Sequence, residues 1–157
     1  MEHLAECNLC KGKAIEVFDQ KSNICRCKTC GYIFDNPRPS KEDLIRFYSK
    51  PTKYDAWLRE EKSRDSLWKR RLRKMRRTKK EGSLLDVGTG VGQFLFHAKT
   101  DYTEICGTEV SESAIHIAQE KYGLEVIAAE IEVLDTDKRF DNITLFHVLE
   151  HVYYPRA

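Results

Sequence analysis

The chain has 157 residues, of which 41% are hydrophobic and 33% charged, with a net charge of +2. That is room for one medium domain, or for a small domain plus part of another. No apolar run approaches the roughly 18 residues that cross a membrane, and the N-terminal stretch with Glu2 and Glu6 lacks the apolar core of a signal peptide. A cytoplasmic location is the expectation, and six cysteines there point to metal or chemistry rather than disulfides.

Residues 1–39 are rich in cysteine and turns. Cys7-x2-Cys10 and Cys27-x2-Cys30 are separated by sixteen residues. Each pair suits a tight knuckle whose backbone amides point at the thiolates, and two facing knuckles make a closed tetrahedral shell of four sulfurs, the preference of Zn2+. So short a segment buries too little surface to fold alone, so the metal is expected to be structural and to supply folding energy. A closed shell leaves no open position for catalysis. Free or redox cysteines are the alternative. Cys25 could replace Cys27 in an imperfect shell, although the spacing favours Cys27. The runs Ala14–Phe18 and Tyr32–Phe34 read as short strands beside this zinc-ribbon-like module. Cys106 reads as a small core residue.

Residues 40–81 read as a helical linker or lid. Ser40 with Asp43 three places on resembles a capping box. Leu44, Ile45, Phe47 and Tyr48 make an apolar face, and Pro51 ends this first helix. A second helix is expected over about 54–80, with Trp57, Leu58, Leu67, Trp68, Leu72 and Met75 as an intermittent stripe. Residues 62–80 hold eleven Lys or Arg against the single acid Asp65, which leaves the rest of the chain at about −8. Such a face can meet RNA phosphates or an anionic membrane surface; the plainer reading is a solvated face of a packed helix.

Residues 82–157 alternate strand and helix, with strands near 84–87, 104–108, 125–128 and 142–147 and helices near 91–99 and 111–121. Alternation of this kind implies right-handed crossovers and a parallel sheet, hence an α/β, Rossmann-like fold. Ser111 reads as an N-cap and Gly123 as a helix stop. The first strand, Leu84-Leu85-Asp86-Val87, runs into Gly88-Thr89-Gly90-Val91-Gly92. Such a junction lets backbone approach a bound small molecule and aims helix N-terminal amides at it. Glu109, twenty-one residues after Gly88, ends the next strand, where an acid can accept ribose hydroxyls. These features predict a nucleoside-containing cofactor. The dinucleotide fingerprint needs glycine at its sixth position, where this chain has Gln93, and no Lys-hydroxyl pair marks a P-loop. A glycine-rich turn in some other α/β protein is the alternative.

The runs LLDVGTGVGQF (84–94), ICGTEVS (105–111), AAEIE (128–132) and FDNITLFHVLEHV (140–152) together resemble the class I S-adenosylmethionine-dependent methyltransferases. The resemblance covers about residues 82–157 and departs from the pattern at Thr89, where a smaller residue is usual. It implies a sheet of seven strands in the order 3-2-1-4-5-7-6, of which this chain supplies 3-2-1-4. The fold expected is therefore a partial parallel sheet behind the zinc module and linker, with a domain break at 82. The resemblance also implies that the chain stops early, leaving the fourth strand with an unpaired edge that invites self-association. Cofactor contacts are implied at Asp86, Gly88, Gly90, Gly92, Glu109, Glu130 and Ile131, and a covering role for Tyr48 and Tyr54.

His147 and His151 follow the fourth strand, at the sheet edge where α/β folds bind ligands, and either is a candidate general base. The expected function is methyl transfer to a small molecule or sugar. The alternatives are an RNA base methyltransferase gripping RNA with the zinc module and residues 62–80, and a truncated binding module without turnover.

Overall fold

The computed structural model describes residues 1–50, 54–77 and 81–156, and of Asp55 and Ala56 only the backbone. Pro51, Lys79, Lys80 and Ala157 lie outside the described residues. Two compact units emerge: residues 1–44 with 149–157, and residues 45–148.

The first unit is built on an antiparallel sheet in the order β1-β2-β3, comprising β1 (Ile15–Asp19), β2 (Ile24–Cys27) and β3 (Ile33–Asp35). Strand β2 was not expected from the sequence, because Ile24-Cys25-Arg26-Cys27 is too short to display a period of its own. Asp19 makes the β1–β2 turn: its carboxylate accepts from the Lys21 amide at 3.0 Å and the Ser22 hydroxyl at 2.8 Å. Cys7, Cys25, Cys27 and Phe34 form the small core, with Tyr32 stacked on Phe34 at 5.6 Å. The C-terminal segment joins this unit through Arg38. Its Nη1 donates to the Tyr153 carbonyl at 2.9 Å, its Nε to Glu2 at 2.9 Å, and its guanidinium lies 3.4 Å over the Tyr153 ring. Helix α1 (Lys41–Tyr48) opens on Ser40, whose Oγ accepts the Asp43 amide at 3.2 Å.

The second unit holds a four-stranded sheet in the order β6-β5-β4-β7, every pairing parallel: β4 (Ser83–Val87), β5 (Glu104–Glu109), β6 (Val126–Ala128) and β7 (Asn142–Leu145). In order of appearance these are strands 1, 2, 3 and 4, so the observed order is 3-2-1-4. Helices α2 (Asp55–Arg59), α3 (Glu61–Met75), α4 (Gln93–Ala98) and α5 (Glu112–Tyr122) accompany it. The single helix expected over 54–80 is instead two, interrupted at Glu60 with ψ at 15°. Gln93 marks the break: its Nε2 donates to the Glu61 carbonyl at 2.9 Å and to Asp65 at 2.7 Å. Its Oε1 accepts the Trp68 indole N–H at 3.2 Å. The core around it contains Trp68, Leu72, Leu84, Phe94, Leu95 and Ala118. Phe94 meets Phe146 edge-on at 4.8 Å, and Trp68 packs within 5.7 Å of both rings. Helix α5 begins and ends as its sequence predicts. Ser111 Oγ accepts the Ala114 amide, and Gly123 closes the helix in the left-handed region.

Candidate functional site

The glycine loop leaves the carboxyl end of β4, the central strand. Gly88, Gly90 and Gly92 have φ of 64°, 57° and 81°. At Gly88 a β-carbon would meet Val148 Cγ2 at 2.5 Å, and at Gly92 it would meet Leu124 Cδ1 at 2.7 Å and the Ala118 Cβ at 3.0 Å. The loop thus packs down onto β7's continuation on one side and α5 on the other. Over Gly90 lie Trp57 and Tyr54; a β-carbon there would sit 3.2 Å from Trp57 Cζ3. Tyr54 is buried against Val91 and Ala114, meets Trp57 edge-on at 5.3 Å, and the Arg64 guanidinium covers the far side of that indole at 3.9 Å. Tyr54 therefore covers the loop, and Trp57 joins it. Tyr48 packs edge-on against Phe47.

Two acids flank the loop. Glu109, 5% exposed, accepts three amides: Gly90 at 2.8 Å, Val110 at 2.8 Å and Ser111 at 3.0 Å. It straps the loop to the end of β5. A carboxylate has about four lone-pair positions, so one remains for a ligand hydroxyl. Asp86, 3% exposed, accepts the Thr144 hydroxyl at 2.6 Å. Burial pushes the Asp86 carboxyl up to about 7, and the negative charge of Glu109 adds to the push. Among the described residues no lysine or arginine makes an ion pair with either acid. Arg71 acts on Asp86 only at longer range. Among the described residues the site therefore holds two buried acids with no ion-pair partner, and a ligand carrying a positive centre would relieve them. In this respect the donor set fits a sulfonium cofactor with an amino group.

Glu130 and Ile131 follow β6, both half-buried, at the start of a short 3-10 turn over Ile131–Val133. His147 follows β7 with φ at 58°, a left-handed conformation that side chains seldom adopt outside constrained sites. Its Nε2 lies 3.2 Å from Arg71 Nη2. His151 belongs to the other unit, in a turn over Leu149–His151, where it lines a cavity of about 480 Å3 with Tyr32, Phe34, Asp35 and Arg38.

The cysteine cluster lies in that same unit. The sulfurs of Cys7, Cys10, Cys27 and Cys30 all fall within 4.8 Å of one another, with Cys7–Cys30 at 3.8 Å and Cys10–Cys27 at 3.6 Å. A tetrahedron with metal–sulfur bonds of about 2.3 Å has sulfur–sulfur edges of about 3.8 Å. The donor set therefore fits a Zn2+ ion. Amides of Cys30 and then Thr29 hold the Cys27 thiol down to about 6, while the neighbouring cysteines push the Cys10 thiol up to about 12, so without a cation the four sulfurs do not share negative charge equally. Cys25 is not among the four; its Sγ points to the Asn36 carbonyl at 3.8 Å.

Three residues around the loop and sheet edge are not singled out by the sequence. Gln93 showed only as a departure from a dinucleotide pattern, Arg71 was averaged into a basic run, and Trp57 was assigned to a packing stripe. For Gln93 the available signal was an amide at a helix start facing the stripe that holds Trp68.

Comparison with solved structures finds similar folds. Magnesium protoporphyrin IX methyltransferase from Synechocystis PCC 6803 with bound SAM aligns at TM-score 0.58 and 17% identity, over 74% of this chain and 66% of that one. The DhpI-SAH complex aligns at TM-score 0.54 and 22% identity, over 72% and 58%. The sugar N-methyltransferase KedS8 from Streptoalloteichus sp ATCC 53650 aligns at TM-score 0.46 and 26% identity, over 59% and 39%. The chain thus spans between 39% and 66% of the lengths of these three proteins. No curated protein matches the sequence. A family profile described as "Methyltransferase domain" matches residues 59–157, more than half of the chain and the whole glycine-loop sheet, so the chain belongs to the methyltransferase domain family.

Proposed function

We propose that this chain is part of an S-adenosylmethionine-dependent methyltransferase whose acceptor is a small molecule or a sugar, and that Cys7, Cys10, Cys27 and Cys30 hold a structural Zn2+. The observation that carries the cofactor reading is the pair of buried acids, Asp86 and Glu109, at the carboxyl edge of the sheet, neither of which makes an ion pair among the described residues. The cofactor, when bound, supplies an electrophilic methyl group on a cationic sulfur. Asp86 would take its ammonium group. Glu109 would take a ribose hydroxyl on its remaining lone pair while keeping the loop strapped. Gly88, Gly90 and Gly92 would shape the loop that carries the cofactor, through the left-handed turns that seat it against Val148, Trp57 and Leu124, and Glu130 and Ile131 would meet the adenine by polar contact and packing. His147, in the same unit as the loop, would receive the acceptor's proton once Arg71 releases its Nε2.

The acceptor reading rests on the four-cysteine module and the run Val148-Leu149-Glu150-His151-Val152, which resemble small-molecule enzymes of this family. An RNA acceptor has less support, because several cations of the basic run are already engaged. Arg76 is bidentate to Asp101 at 2.6 and 2.7 Å, Arg64 stacks on Trp57, and Arg71 lies against Trp68 and Phe146. The test is methyl-labelled cofactor offered with a panel of hydroxyl- and amine-bearing sugars and, in parallel, with RNA. Label in a sugar is the expected result. Label in RNA alone would overturn the acceptor reading.

A further inference from the structure

We infer that Arg71 is a positioning residue for His147: its guanidinium fixes the imidazole as the tautomer protonated on Nδ1, which removes Nε2 from service as a proton acceptor. The inference rests on the placement of His147 in the proposed site.

The chemistry of the contact is asymmetric. A guanidinium carries five N–H donors, no acceptor, and stays charged throughout the accessible pH range. At 3.2 Å, Arg71 Nη2 can only donate, so His147 Nε2 must present a lone pair. A neutral imidazole with an unprotonated Nε2 carries its proton on Nδ1. A ring with both nitrogens protonated cannot make the contact at all.

Arg71 is held where it can do this. Its guanidinium carbon lies 4.4 Å from the Phe146 ring centre and 4.8 Å from that of Trp68. Those two rings belong to the packed aromatic group with Phe94, so the plane of the guanidinium is set by the core rather than by solvent. Trp68 and Arg71 are three residues apart on α3, on one side of the helix. Burial disfavours the Arg71 charge, the neighbouring Arg70 disfavours it further, and Asp86 favours it. Arg71 Nη1 is buried and makes no hydrogen bond. Nη2 instead makes the contact with His147, a contact that is open to solvent. On the other side, His147 sits with φ at 58°, so its backbone is committed to one direction of side-chain exit.

The consequence for the proposed chemistry is specific. While the contact holds, His147 carries its proton on Nδ1. Proton removal through Nε2 would require Arg71 to let go.

The test uses the full zinc-loaded chain labelled with 15N-histidine, observed by long-range 1H–15N correlation at about pH 8, above the ordinary imidazole range. The prediction is that His147 shows the Nδ1–H pattern, with Nε2 at the shift of an unprotonated nitrogen. Arg71→Met should shift the equilibrium away from the Nδ1–H pattern, and Arg71→Lys, which retains a donor, should shift it back. His147→Gln identifies the resonance. An Nε2–H pattern in the wild type, or an unchanged pattern in a folded Arg71→Met chain, overturns the inference. If Arg71→Met does not fold, the wild-type tautomer alone decides. None of these readouts involves the cofactor, so a failure of the methyl-transfer reading would appear separately, as absent cofactor binding with the tautomer unchanged.

Discussion

Asp86→Asn should stabilise the protein, and should do so only above mildly acidic pH. The Asp86 carboxyl is 3% exposed and its proton is held to about 7, whereas an unfolded aspartate releases its proton near 3.9. The folded state therefore binds one more proton than the unfolded state between those values. Unfolding free energy then falls with rising pH, by about 1.4 kcal/mol per pH unit for one proton. Across the roughly three units of this window the loss is about 4 kcal/mol, complete once pH exceeds 7. Asparagine keeps an oxygen for the Thr144 hydroxyl and has nothing to ionise. The assay is urea unfolding at fixed zinc, followed through tryptophan emission, since Trp68 lies in the core of this unit. The difference between variant and wild type should climb steadily from about pH 5 to about pH 7 and then level off. A difference that stays flat over that range would refute the argument, because the buried charge would then have no cost. A cationic ligand beside Asp86 should flatten the wild-type curve, since it stabilises the ionised form.

Other perturbations have equally definite outcomes. Gly92→Ala combines a left-handed φ of 81° with a β-carbon 2.7 Å from Leu124, and should cost about 2–4 kcal/mol in chemical denaturation. Gln93→Leu strips partners from the Trp68 indole N–H and the Glu61 carbonyl, and should cost about 2–3 kcal/mol in the same assay. Chelation, or Cys27→Ser, should release a stoichiometric metal and unfold the β1-β2-β3 sheet, seen as lost amide dispersion for residues 1–44, while the parallel sheet persists.

Much of the parallel sheet was legible in the sequence because its signals are local. Leu84 to Gly92 display strand, turn and helix start within nine residues, and Ser111 and Gly123 punctuate α5 by cap chemistry that needs no distant partner. The paired C-x2-C spacing likewise carries its geometry with it. What escaped depends on contacts between residues far apart in the chain. At the break, the Glu61 carbonyl is met by Gln93, more than thirty positions later, a contact that no periodicity within 54–80 reveals. Arg71 differs from its neighbours Arg70 and Arg73 only in having Phe146 and His147 across from it. Glu109 was legible as an acid at the right strand end, but its three amide partners were not, because strapping the loop is a property of the folded backbone. The association of residues 149–157 with the N-terminal unit hangs on the buried Arg38 against Tyr153, a pairing across 115 residues.

The most direct measurement is calorimetric titration of the zinc-loaded chain with S-adenosylhomocysteine, wild type against Glu109→Ala. A single saturable site in the wild type, weakened about tenfold or more in the variant through loss of a ribose contact and of the strap on Gly90, is the predicted result. No binding by the folded wild type, or equal affinity in the two proteins, would contradict the assignment of this loop to an adenosyl cofactor.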